Sequence, residues 1–130
     1  MTVYRVENSL GRGMYRGNSR DYLLDAMYDP VLHPTPSNDS RLMRALHEAG
    51  LVVQGKYGWN HVRWAPFNFG FSSPDQLRRW LFNDAVKKDL QAIGFSVSVY
   101  EGGTEYHGDT QAVFIRNEST LVATIDLMEV

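Results

Sequence analysis

The sequence predicts an α+β fold in one domain spanning residues 1–130, with an N-terminal strand and helices followed by a three-stranded antiparallel meander. Three observations carry this. A length of 130 residues leaves room for one core, because domains commonly run about 100–150 residues. A hydrophobic content of 43%, with three Trp, seven Tyr and six Phe, supplies that core. The spacing of apolar residues is three to four before Gly94 and becomes two from Phe95 onward, which separates helices from later strands.

The elements follow in order. Thr2 to Glu7 places Val3, Tyr4 and Val6 in a short β-prone run. The segment Asn8 to Asn18 has Gly11, Gly13 and Gly17, too many glycines for a helix or a central strand, so it reads as a loop. Ser19 is positioned to cap a helix over Arg20–Tyr28, which Pro30 stops; residues 29–38, with three prolines, read as an extended loop. Asp39 or Ser37 caps a second helix, from about Ser40 to Ala49, with Gly50 at the C′ position. Residues 51–71 hold Trp59, Trp64, Phe67, Phe69 and Phe71 among glycines and read as a long structured loop with one or two short strands.

Ser73-Pro74-Asp75-Gln76 is the clearest local signal: a serine N-cap, proline at N1, an acid in the first turn and Gln at N3. The helix it opens has a break near Asn83-Asp84 and runs on to Gly94, another C′ glycine. Three strands close the chain, from Phe95 to Tyr100, Thr110 to Arg116 and Leu121 to Met128.

Composition excludes several function classes. No cysteine means no disulfide, thiol nucleophile or Cys-ligated metal. His33, His47, His61 and His107 show no metal-ligand spacing, so no metal is expected. A Ser-His-Asp arrangement stays open on spacing alone, without a nucleophile-elbow motif to support it. The N-terminus has no signal-peptide pattern and no apolar run nears the ~18 residues of a membrane span, so a cytoplasmic protein without membrane association is expected.

A formal charge of −2 carries no strong nucleic-acid signal, but its distribution is uneven. Residues 1–20 hold Arg5, Arg12, Arg16 and Arg20 against Glu7, a balance of +3, whereas residues 101–130 hold six acids against Arg116, a balance of −5. Either the N-terminal strand lies beside the C-terminal strands and the charges neutralise, or the basic pole is an anion site. In the second reading Arg5, Arg12 and Arg16 meet phosphates, because glycine backbones approach phosphate closely and guanidinium presents forked donors. Tyr15 or Trp59 would stack on a base, with Ser72 and Ser73 near a ribose.

Tyr4-Arg5 on a first strand, the Gly11-Arg12-Gly13 loop, Gly70-Phe71-Ser72-Ser73 before a helix and Gln111-Ala112-Val113-Phe114 on a late strand together resemble the element order of minimal ADP-ribosyltransferase-like domains. The resemblance implies NAD as ligand, Arg5 as the residue holding it, Ser72 or Ser73 as the serine motif, and Gln111 where that family has its catalytic glutamate. Gln cannot act as a carboxylate, so Asp109 or Glu105 would have to take that role.

Val3-Tyr4-Arg5-Val6-Glu7-Asn8, Gly11-x-Gly13-x-Tyr15-Arg16, His33-Pro34-Thr35-Pro36 and Gly70-Phe71-Ser72-Ser73-Pro74-Asp75-Gln76-Leu77-Arg78-Arg79-Trp80 are similar to small proteins encoded by tailed phages and prophages. That resemblance implies action in the host cytoplasm. Two functions follow as expectations: a domain binding NAD or a related nucleotide, with or without ADP-ribosyl transfer, or a non-enzymatic protein that binds and inhibits a host protein.

Overall fold

The computed structural model describes residues 1–11, 13, 38–55, 58–60, 66–81 and 83–130. The expected helix over Arg20–Tyr28 and most of the proline-rich loop lie outside these residues, as do Arg12, Tyr15 and Arg16.

The strands are β1 (Thr2–Glu7), β2 (Val53–Gly55), β3 (Gly58–Asn60), β4 (Asn68–Gly70), β5 (Ser96–Glu101), β6 (Glu105–His107), β7 (Ala112–Phe114) and β8 (Thr120–Ile125). The helices are α1 (Ser40–Glu48), α2 (Pro74–Trp80) and α3 (Asp84–Ala92). This is the expected α+β class, and the local signals explain the helix ends. Asp39 caps α1 by accepting from Leu42 N, Ser73 caps α2 by accepting from Gln76 N, and Asn83 caps α3 by accepting from Ala85 N and Val86 N. Gly50 and Gly94 have φ of 75° and 96°, so each turns the chain in the left-handed region that side chains avoid. Leu51 N and Phe95 N then bond back to Leu46 O and Leu90 O, which closes both helices in the six-to-one pattern.

The C-terminal strands depart from a single meander. They divide between two sheets, β1-β5-β8 and β4-β7-β6, with β2 and β3 forming a separate hairpin. Burial on both faces explains the division. In β5, Val97, Val99 and Tyr100 are at most 6% exposed, and in β7, Ala112, Val113 and Phe114 are all at 0%. A strand buried on both faces needs neighbours on both sides, and here each such strand is the middle of its sheet. β8, exposed along most of its length, takes an edge, and β6, a strand the sequence did not announce, takes the outer place beside β7.

Three apolar clusters bind these layers. Helices α2 and α3 cover one face of β1-β5-β8 through Leu77, Trp80, Leu81 and Leu90 against Val6, Phe71 and Val97. Helix α1 packs Leu42, Met43 and Leu46 on Phe69 and Val113 of the other sheet. Val3, Tyr100 and Phe114 join the two sheets. The junction is also hydrogen-bonded, since Tyr4 N donates to Phe71 O at 2.8 Å and Phe71 N donates to Tyr4 O at 2.7 Å. Gly70 is required beside it, because a Cβ there would lie 2.6 Å from Val3 Cγ1 and 2.8 Å from Tyr4 O.

Phe71, 1% exposed, packs against Trp80 with ring centroids 6.0 Å apart. Phe71→Ala is expected to cost about 3–5 kcal/mol of stability, read as a lower urea midpoint at unchanged slope.

Candidate functional site

The face of β1-β5-β8 turned away from α2 and α3 is polar, because alternation along β1 and β5 sends Arg5, Glu7, Ser96, Ser98 and Tyr100 to that side. Arg5 and Glu7 are both buried there, at 1% and 2% exposure. The Arg5 guanidinium donates to Phe69 O at 2.8 Å and Gly11 O at 3.1 Å, and its Nε lies 3.3 Å from Glu7 Oε1. Tyr100 donates its hydroxyl hydrogen to the Glu7 carboxylate at 2.8–2.9 Å, and Arg116 Nε donates to Glu7 at 3.2 Å and to the Tyr100 oxygen at 2.8 Å. Burial, then the adjoining Glu7, pushes the Tyr100 phenol above its ordinary pKa despite Arg116, so it stays a donor. Burial alone would lower the Arg116 pKa, but Glu7 and Tyr100 outweigh it and hold the guanidinium charged.

Arg5, expected to meet a ligand phosphate, is thus placed inside the protein, holding the glycine loop and β4. The approach is close enough that a Cβ on Gly13 would stand 2.7 Å from Arg5 Nη2. Of the two arginines in this network, Arg116 is the more exposed, its side chain at 37%. It lies over the Tyr100 ring, 5.6 Å from the centroid, and lines a groove of about 270 Å³ with Asn8, Ser9, Ser96, Ser98, Leu121 and Thr124 among the other walls. Among the described residues only its Nε has a hydrogen-bond partner.

Gln111 and Asp109 lie at the second sheet, beside β7. Gln111 is 1% exposed, its N–H directed at Asp39 and its carbonyl accepting from Gly108 N. Asp109 is a surface residue, 3.4 Å from exposed Arg41. Both belong to a turn folded around the buried Asp39 carboxylate, which accepts from Asp109 N, Thr110 N and Thr110 Oγ1 as well as from Leu42 N. Burial raises the Asp39 pKa, but these donors outweigh it and leave the carboxyl below its ordinary value.

Ser73 is spent on capping α2. Ser72 is not. Its backbone N–H donates to Gln76 Oε1 at 2.8 Å, while its Oγ lies 2.6 Å from His107 Nδ1, and His107 Nε2 lies 2.7 Å from Glu105 Oε1. Gln76 also donates from Nε2 to Gly108 O and Asp109 O, so one side chain ties the start of α2 to the Asp39 turn. Sequence spacing did not single out His107, because its partner is 35 residues away and β6 itself was not legible. Trp59 is opposite Gln54 in the β2–β3 hairpin. Among the described residues no cluster of three or more His, Asp or Glu is arranged to hold a metal, and no helix is long and apolar enough to cross a membrane.

Two small antiparallel sheets with helices on their outer faces, a buried Arg-Glu-Tyr-Arg network and a groove beside it define the class: a small α+β domain built around a polar seam. The chain belongs to the family of the bacteriophage T4 Y00F protein, whose model matches residues 1–128. No curated protein and no solved structure matches it.

Asp39 makes stability acid-sensitive. Its folded pKa is depressed, so its contribution is present above the unfolded value of ~3.9 and is lost as pH falls through the lower folded value. Asp39→Asn, which turns an amide donor toward backbone donors, is expected to cost about 1–3 kcal/mol at pH 7 and to flatten stability against pH below about 4, measured by urea melts at each pH.

Proposed function

We propose that this phage-family protein binds a phosphate-bearing nucleotide in the groove over β1-β5-β8, with the terminal nitrogens of Arg116 on the phosphate and the hydroxyls of Ser96, Ser98 and Thr124 near the sugar. The observation that carries the reading is that Nε of Arg116 is anchored by Glu7 and Tyr100 while the residue, its guanidinium packed beside Gly11, lines a polar groove. An arginine held by one nitrogen presents the others in a fixed orientation, which lowers the ordering cost of binding an oxyanion.

The groove, at about 270 Å³, falls just below the roughly 300–1,000 Å³ of small-molecule sites, which suits a phosphate and ribose better than a whole dinucleotide. NAD or ADP-ribose would then be held by one end. ADP-ribosyl transfer is a finer version of the same proposal, and Gln111 and Asp109, the residues carried over for it, lie at the Asp39 turn.

Isothermal titration with NAD, ADP-ribose, a mononucleotide and inorganic phosphate tests the reading. Binding of at least one phosphate ligand is expected, with Arg116→Ala weakening it about 10- to 150-fold, as loss of a charged hydrogen bond worth ~1.5–3 kcal/mol requires. No heat at millimolar ligand, or equal binding by a folded Arg116→Ala variant, rejects it.

A second reading, in which the protein binds a host protein, is favoured by β8. This six-residue edge strand carries Leu121 and Val122 half exposed, at 52% and 50%, and among the described residues no strand covers its outer side. Such an edge accepts a partner's strand. Val122→Lys is then expected to abolish capture of a stoichiometric host partner from lysate while Arg116→Ala retains it; equal capture by both variants counts against the edge.

A further inference from the structure

We propose that Ser72, His107 and Glu105 form a nucleophilic site for activated acyl groups, esters or thioesters, separate from the groove and independent of the function proposed above. The geometry is a relay of two short contacts, Ser72 Oγ to His107 Nδ1 at 2.6 Å and His107 Nε2 to Glu105 Oε1 at 2.7 Å. Proton positions in it follow from the acid. A carboxylate only accepts, so the imidazole carries its hydrogen on Nε2, and its Nδ1 lone pair faces the serine. Ser72 therefore donates its hydroxyl hydrogen to a base, the polarity that activates a serine. The ring is turned relative to the usual serine hydrolase arrangement, with Nδ1 rather than Nε2 toward the nucleophile.

The fold holds these groups in place. Glu105 and His107 are two apart on β6 and so share one face. Register then brings the serine to them: His107 pairs with Ala112, Ala112 pairs with Gly70, and Ser72 follows two residues beyond Gly70. Gln76 fixes the Ser72 backbone from the first turn of α2. The Glu105 and His107 side chains are 8% and 14% exposed, so their interaction is little screened by water, while Ser72 is only half buried and stays within reach of a ligand.

In the reaction, Ser72 Oγ attacks the acyl carbonyl carbon and its proton passes to His107 Nδ1, with Nε2–H retained toward Glu105. The bond from acyl carbon to the leaving oxygen or sulfur breaks, and that atom leaves with the proton from Nδ1. Water then attacks the acyl-Ser72 ester, giving its proton to Nδ1, and the carboxylic acid departs as Ser72 regains it. Ser72 and His107 are the catalytic residues, and Glu105 is a positioning residue acting through His107.

A fluorophosphonate probe tests this, since it reacts with base-activated serines. The expected result is one adduct on the intact protein, mapped by peptide mass to Ser72 and absent from Ser73. Ser72→Ala abolishes it, His107→Gln slows labelling roughly 100-fold or more, and Glu105→Gln slows it less, each variant being checked for an unchanged thermal melt. Selective labelling of wild-type Ser72 supports the proposal even where a variant fails to fold. Absence of a Ser72 adduct after prolonged exposure, or equal rates in wild type and folded His107→Gln, overturns it.

Discussion

The Arg5 guanidinium is the constraint around which the two sheets are arranged. A buried cation costs several kcal/mol to desolvate and is tolerated only where its donors find acceptors. Among the described residues Arg5 finds Glu7 on its own strand, Phe69 O on the second sheet and Gly11 O after β1. Meeting that demand holds β4 and Gly11 against β1. Glu7 in turn serves Arg5, Arg116 and Tyr100, so the residue that neutralises the core cation also anchors the arginine at the groove.

The charge asymmetry of the chain takes its meaning from this network. Among the described residues the two segments meet where Thr2 pairs with Glu101 and where Arg116 donates to Glu7. Yet the pairing at the seam joins Glu7, the lone acid of the first twenty residues, to Arg116, the lone base of the last thirty. Among the described residues the minority charges carry the buried contact.

Helix ends were legible because capping is local. Asp39, Ser73-Pro74-Asp75-Gln76, Asn83 and the glycines at 50 and 94 act within a turn or so of their own positions, and each does what its neighbours in sequence imply. Even so, while Gln76 N donates to the Ser73 cap, the Gln76 side chain accepts from Ser72 N rather than from Ser73 N, so the contact that would complete a capping box falls one residue earlier. Strand pairing was less legible. The β6 strand is three residues, Glu-Tyr-His, with no apolar alternation to mark it, and it exists because β7 offers an edge. The candidate sites inherit that limit: Ser72 and Glu105 were named for other roles, at a ribose and as a substitute carboxylate, and their link through His107 became visible only when the strands were paired.

The sequence by itself determined the α+β class, the boundaries of the described helices and the absence of thiol chemistry, because these rest on periodicity, local hydrogen bonds and composition. Only the tertiary structure decided that the last strands split between two sheets, that Arg5 is internal while Arg116 borders the groove, and that Ser72 meets His107. Which strand becomes the middle of a sheet depends on what covers both its faces, and whether an arginine is buried depends on carbonyls up to 64 residues away. Those contacts are set by long-range packing, for which no local pattern in the chain encodes a partner.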